Sequence, residues 1–90
     1  MNKNKIALSS LAMDLKRVAL SYHNGSVETA RRFFEEAIKR RDEVDKKKVR
    51  VYLREILNNL DRLILQKDRQ KIAEDALMYS TLFQNAALNN

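Results

Sequence analysis

Three carboxylates near the middle of the chain are spaced closely enough to bind a hard cation. Asp42, Glu43 and Asp45 fall within four residues, and carboxylate oxygens are the ligands that Ca²⁺ and Mg²⁺ take in proteins. The stretch has no glycine for the sharp turn of a calcium-binding loop, and the lysines at 46–48 follow it directly. The pattern therefore predicts either a weak Ca²⁺ or Mg²⁺ site or a helix cap whose carboxylates pair with those lysines.

An excess of basic side chains provides a second candidate site. The 18 Lys and Arg exceed the 12 Asp and Glu, which gives a net charge of +6 and favours attraction to nucleic acid or anionic surfaces. In an antiparallel bundle, the N-terminus and the second connection lie at the same end. That end would carry a group that we call the basic pole: Lys3, Lys5, Lys46, Lys47, Lys48 and Arg50.

The basic pole predicts weak contact with phosphates, with an affinity that falls as salt rises. No aromatic residue is interleaved with these cations to stack on bases, and no short pair of helices would fit a groove. The pattern therefore favours contact with the nucleic-acid backbone over reading of base sequence. The alternative is a set of solvated helix faces with no polyanion partner.

The only histidine, His23, lies six residues after Arg17. This spacing resembles the Arg-x(4–6)-His motif of HEPN-type ribonucleases, another family of helical bundles. The resemblance implies that Arg17 would bind the scissile phosphate and that His23 would act in proton transfer. Two features depart from the family, because Val18 replaces the usual polar residue and the motif normally lies late in a longer domain. The alternative places His23 at a helix C-terminus, where its charged form suits the helix dipole.

The remaining residue types argue against an enzyme and against a bound cofactor. The chain has no cysteine, a single glycine and a single histidine, which excludes thiolate chemistry, a glycine-rich phosphate loop and a histidine-rich metal site. The lack of cysteine fits a reducing compartment. No apolar run approaches the ~18 residues of a membrane span, and the amphipathic start is unlike a signal peptide. We therefore expect a cytoplasmic protein without a membrane partner.

The composition and the apolar spacing predict an all-α fold. The chain has no proline, and 44% of its residues are hydrophobic and 33% charged, as in globular helical proteins. The densest apolar stretch, 49–67, places Leu53, Ile56, Leu57, Leu60 and Leu63 on one side of a helix,. We predict one domain over 1–90, an up-down-up-down antiparallel four-helix bundle with helices at about 4–23, 27–44, 46–67 and 69–88.

The predicted boundaries depend on a few short stretches. Gly25 suits the left-handed end of the first helix and Ser26 suits the cap of the second. Asp45 and Asp68 are the expected caps of the third and fourth helices. Because the stretch 41–48 contains neither glycine nor proline, the alternative is one continuous helix over 27–67.

A second apolar stripe in the first helix provides the leading functional hypothesis. Ile6, Met13 and Leu20 are spaced by seven residues, so they lie in line on the face opposite the core stripe. Val51 and Leu65 point outward from the predicted third helix. These five residues predict a contact surface for another protein or for a second copy. The alternative is that a neighbouring helix covers them or that they are simply exposed.

Overall fold

The computed structural model describes residues 2–89, and its secondary structure is all-α, as predicted. Three long helices are α1 (Lys3–His23), α2 (Val27–Glu43) and α4 (Arg69–Leu88). Between α2 and α4 lie a 3₁₀ turn (Lys46–Lys48), the short helix α3 (Val51–Asn58) and a longer 3₁₀ segment (Leu60–Leu65).

The ends of the long helices follow local chemistry. Gly25 has a φ of 77°, the left-handed conformation that ends a helix at little steric cost. Ser26 lies at the N-cap of α2, as predicted, but its side chain makes no capping hydrogen bond. Its backbone N–H instead donates to the Ser21 carbonyl at 2.8 Å. The Asp68 side chain accepts hydrogen bonds from two backbone N–H groups and caps α4, as predicted.

Helix α1 lies between α2 and α4 and is antiparallel to both. The two most extensive helix contacts are α1 with α4 and α1 with α2. Near the middle of the α1–α4 contact, the Ser80 hydroxyl donates to the Ala12 carbonyl at 2.6 Å. On the other side of α1, the Arg17 guanidinium lies over the Phe33 ring of α2 at 5.5 Å from its centroid. Small side chains such as Ala12 and Ser80 let α1 and α4 approach closely.

The third predicted helix, 46–67, is not a continuous helix. The preceding break is real, because Val44 and Asp45 both have extended backbone, and this excludes one helix over 27–67. Asp45 accepts a hydrogen bond from the Lys47 N–H at 3.0 Å, so it caps only the 3₁₀ turn. Arg54 then holds that turn against α3, because its Nε donates to the Lys46 carbonyl at 3.0 Å.

Within this segment, Val49 and Arg50 have extended backbone, and the α-helical winding that follows ends at Asn59. Its side-chain amide donates to the Glu55 carbonyl at 2.9 Å, and its backbone N–H is shared between the carbonyls of Glu55 and Ile56 at 3.1 and 3.2 Å. A shared N–H of this kind is common where an α-helix ends. Beyond Asn59, the buried residues Leu60 and Leu63 lie three positions apart. That spacing matches the three residues per turn of a 3₁₀ helix, in which positions i and i+3 share a face. The 3₁₀ winding therefore places both Leu60 and Leu63 on the buried face.

The 46–65 segment closes the core on one side of α1. Its four buried leucines join the same cluster as the inner face of α1, which comprises Leu8, Leu11, Leu15, Val18 and Tyr22. Arg41 of α2 fixes the segment from the other end, because it donates to the Leu57 carbonyl at 3.5 Å and pairs with Asp61. The side of α1 that faces away from this core is left without a covering element.

Candidate functional site

The strongest candidate is the outer face of α1, the line of Ile6, Met13 and Leu20. These side chains are 48%, 52% and 53% exposed, whereas the four aliphatic side chains of the inner face are at most 1% exposed. Successive helical residues turn by about 100°, and Met13 lies between Ala12, which faces α4, and Asp14, which faces α2. Met13 therefore points away from both neighbours and from the core.

A groove between α1 and α4 extends this face sideways. It has a volume of about 730 Å³ and is lined by Leu20, His23, Ala73 and Leu77, among others. Leu77 is 51% exposed and also borders Met13 in the next part of the groove. The sequence analysis did not select Leu77, although it lies four residues from Ala73 and off the core stripe of α4. The apolar surface is therefore wider than the predicted stripe.

The edge of the outer face next to α2 carries two charged side chains, Asp14 and Arg17, that contact each other. The carboxylate of Asp14 is largely buried beside α2, and Arg17 Nη1 lies 3.3 Å from its Oδ1 atom. Burial raises the pKa of Asp14 above its ordinary value, and the positive charge of Arg17 opposes that rise,. Arg17 also covers the Phe33 ring, so its guanidinium is held at the edge of the outer face by two contacts.

The structure does not bring together the pair that resembles the HEPN motif. Arg17 is engaged by Asp14 and Phe33 on the α2 side of α1. His23 lines the groove on the α4 side. Six helical residues correspond to 600°, which separates the two side chains by about 120° around the axis. A shared phosphate site for Arg17 and His23 is therefore not formed.

The basic pole is brought together by one side chain that the sequence analysis did not select. Asn4 is buried, and its Oδ1 accepts a hydrogen bond from the Asp45 N–H at 2.7 Å while its Nδ2 donates to the Asp45 carbonyl at 3.5 Å. Lys3 and Lys5 flank Asn4, and the lysines at 46–48 follow Asp45. Within residues 2–89, none of the six basic-pole side chains forms an ion pair.

A small cavity of about 200 Å³ lies at the edge of the basic pole. Lys48 and Arg50 line it together with Tyr52, Leu8 and Asn85. Tyr52 is 49% exposed, so an aromatic ring does lie beside two of the cations. Tyr52 lies two residues after Arg50, so its ring beside the cations corrects the expectation that no aromatic residue accompanies them.

The three carboxylates of the predicted cation site are not assembled around a common point. Asp42 and Glu43 pair with the arginines one and three residues before them, at 3.2 and 3.3 Å. Asp45 caps the 3₁₀ turn through the Lys47 N–H. Across the described part of the chain, no group of three metal-binding side chains is placed to hold an ion. Asp45 therefore acts as a cap, as the alternative predicted, but Asp42 and Glu43 pair with arginines of α2 and not with the lysines at 46–48.

The remaining predicted contact residues form no part of the outer face. Val51 and Leu65 are 63% and 76% exposed, but both belong to the 46–65 segment, on the opposite side of α1.

In the range 2–89, no helix has the length and apolar character needed to cross a membrane.

Comparison with family models, with curated proteins and with solved structures finds no match to this chain.

Proposed function

We propose that the protein is non-catalytic and works by binding another polypeptide through the outer face of α1. The observation that supports this is the exposure of Ile6, Met13 and Leu20 in one line, although the core is already closed by the 46–65 segment. About half of each of these three side chains therefore stays in solvent and adds no apolar burial to the fold. Apolar side chains in line on an exposed face are typical of a surface that a partner covers and so removes from water.

The size of the face sets the strength of the interaction. Burying a whole Ile, Leu or Met side chain contributes about 1.5–3 kcal/mol, and each of the three is about half exposed. Together they contribute about 2–5 kcal/mol, against a cost of association of about 4–15 kcal/mol. A partner must therefore supply apolar area of its own, and we expect a reversible complex.

Site-specific photo-crosslinking tests this proposal. A photoreactive p-benzoylphenylalanine replaces Met13 in one variant and Asn58, an exposed polar residue of α3, in the control. In a lysate of the source cells we expect an adduct from position 13 that is lost when Ile6→Ser and Leu20→Ser are added. Equal adducts from both positions, or an adduct that survives the serine substitutions, would contradict the proposal. Circular dichroism confirms that each variant is folded.

A second candidate function is contact with the backbone of nucleic acid through the basic pole. It is supported by the Asn4–Asp45 hydrogen bonds, which join the two halves of the pole, and by Tyr52 beside two of its cations. An exposed ring next to cations is the arrangement that single-stranded nucleic acids favour.

A gel-shift series tests this second function. Lys46→Glu with Lys48→Glu should abolish a shift that weakens as salt rises. Lys67→Glu with Arg69→Glu makes the same change of charge at the other end of the protein and should leave the shift in place. If the two double variants behave alike, the basic pole has no specific part in binding.

We further infer that the 46–65 segment takes the place of the third helix in an up-down-up-down antiparallel four-helix bundle. The antiparallel packing of α1 with α2 and with α4 supports this architecture. Location in the cytoplasm stays a prediction from the sequence.

A further inference from the structure

We propose that the small cavity at the edge of the basic pole binds a single nucleotide, with its base against the Tyr52 ring and its phosphate on Lys48 and Arg50. This inference goes beyond the second candidate function, which requires only contact with phosphates, and it rests on the same basic pole. It follows from the three kinds of surface that line the cavity.

The floor of the cavity is apolar and carries an aromatic ring at its side. Leu8 of α1 and Leu53 of α3 are buried, and both line the cavity. Tyr52 also lines it but is half exposed, so its ring is accessible to a ligand. A planar base can stack on such a ring and cover the apolar floor at the same time.

The wall formed by the turn before α3 is positively charged. Lys48 and Arg50 line the cavity and are exposed, and within residues 2–89 neither side chain forms an ion pair. None of the described lining residues is acidic. A phosphate beside the stacked base would therefore meet two cations that no carboxylate of the cavity neutralises.

The other wall is formed by the last turn of α4 and carries two amide side chains. Asn85 and Asn89 both line the cavity and are exposed. An amide side chain donates hydrogen bonds through its nitrogen and accepts them through its oxygen. These two side chains can therefore meet the polar edge of any base, so the cavity fits nucleotides as a class and not one base alone.

The size of the cavity limits how much of the ligand enters it. Pockets that enclose a whole small molecule have volumes of roughly 300–1,000 Å³, whereas this one has about 200 Å³. We therefore expect the base to enter and the sugar and phosphate to lie outside it, over the cations. A free nucleoside phosphate and one nucleotide of a single strand share this chemistry.

An NMR titration measures this binding with adenosine 5′-monophosphate, adenosine and inorganic phosphate, each to about 10 mM. The monophosphate should shift the backbone amides of 48–53 and 85–89 and move the Tyr52 ring protons upfield, because a stacked base shields them. Adenosine should bind at least about tenfold more weakly, because it lacks the phosphate. If inorganic phosphate binds as tightly as the monophosphate and no probe moves the ring protons, the proposal is overturned.

Substitutions separate the ring from the cations. Tyr52→Ala should weaken binding of the monophosphate about tenfold, whereas Tyr52→Phe keeps the ring and should stay within about twofold. Lys48→Gln with Arg50→Gln should also weaken it about tenfold. Lys67→Gln with Arg69→Gln makes the same change of charge at the other end of the protein and should leave binding unchanged. If Tyr52→Ala binds as tightly as the native chain, or if the two charge variants bind alike, the proposal is wrong. Circular dichroism confirms that each variant is folded.

An oligo(dA) of about ten nucleotides identifies the source of the nucleotide. If it displaces the monophosphate and binds more tightly, the ligand is part of a single strand. If it does not compete, the ligand is a free nucleoside phosphate.

The same experiments separate this inference from the second candidate function. If Tyr52→Ala changes neither the gel shift nor the binding of the monophosphate, the second candidate function stands and this inference fails. If the monophosphate binds but no strand does, the second candidate function fails and the nucleotide site stands.

Discussion

Replacing Asn4 by alanine should destabilise the protein more than its position near a helix end would indicate. Asn4 is 5% exposed, and its side-chain amide makes both hydrogen bonds that join α1 to Asp45. The Asp45 N–H is part-buried, so its loss of a partner costs about 1–2 kcal/mol, toward the lower end of the usual range. The 3.5 Å bond is long and adds less than about 0.5 kcal/mol.

Alanine favours helix more than asparagine does, by up to about 0.7 kcal/mol, so the net loss for Asn4→Ala is about 1–2 kcal/mol. For a chain of 90 residues the whole free energy of unfolding is about 5–13 kcal/mol. The melting temperature should fall by roughly 4–16 °C.

Urea unfolding of Asn4→Ala and of Asn58→Ala measures this difference. Asn58 is an exposed helical asparagine with no side-chain hydrogen bond among residues 2–89. Its replacement by alanine therefore brings the same gain in helix propensity without the loss of a hydrogen bond. Hydrogen exchange gives a second measurement, because the Asp45 amide should exchange faster in Asn4→Ala alone. Our reasoning is refuted if the two variants unfold within about 0.5 kcal/mol of each other.

Three further predictions concern other contacts. Arg41→Met should lower the free energy of unfolding in urea by about 1 kcal/mol, because the hydrogen bond to Leu57 and the ion pairs with Asp42 and Asp61 are lost,. The exposed control Arg62→Met should change the free energy of unfolding by less than about 0.5 kcal/mol. The hydrogen bond from Arg41 lowers the pKa of Asp61, so its stabilising effect is complete above pH 3.8 and is lost as the pH falls through the lowered pKa,. Burial raises the pKa of Asp14, so ionisation of Asp14 destabilises the fold as the pH rises above 3.8,. The free energy of unfolding of Asp14→Asn, relative to that of the native chain, should therefore be higher at pH 7 than at pH 4, and the reverse order would contradict this. Gly25→Ala should lower stability by about 1 kcal/mol, seen as a lower melting temperature, because the cost lies in the positive φ and no atom crowds the site,.

The sequence predicts the long helices well because their apolar spacing is regular and uninterrupted. The inner face of α1 repeats at three and four residues, and Gly25 and Asp68 mark ends that the structure confirms. The third helix was predicted wrongly for a specific reason. Leu57, Leu60 and Leu63 recur at three residues, a spacing compatible with either an α-helix or a 3₁₀ helix. The structure has 3₁₀ winding from Leu60 to Leu65, and the spacing alone does not decide between the two.

The sequence predicted only those residues of the candidate site whose position follows from a single helix. Ile6, Met13 and Leu20 repeat within α1, so their exposure on one line follows from the helical period alone. Leu77 enters its surface because α1 and α4 pack side by side, and spacing within the chain carries no such information. The same limit applies to Asn4, whose partner Asp45 lies 41 residues away. Tyr52 lies two residues after Arg50, so its place beside the cations depends on the local turn that begins α3.

The packing of α1 against α4 also has a consequence for the rate of folding. The Ser80–Ala12 bond joins residues 68 positions apart, and α1–α4 is the most extensive contact between helices. Most helical proteins fold fast because their contacts are local. Here the α1–α2 hairpin can form early, because a short turn joins its helices. The packing of α1 against α4 can form only after a long loop has closed. The protein should therefore fold more slowly than a helical bundle of its size whose neighbours in space are neighbours in the chain.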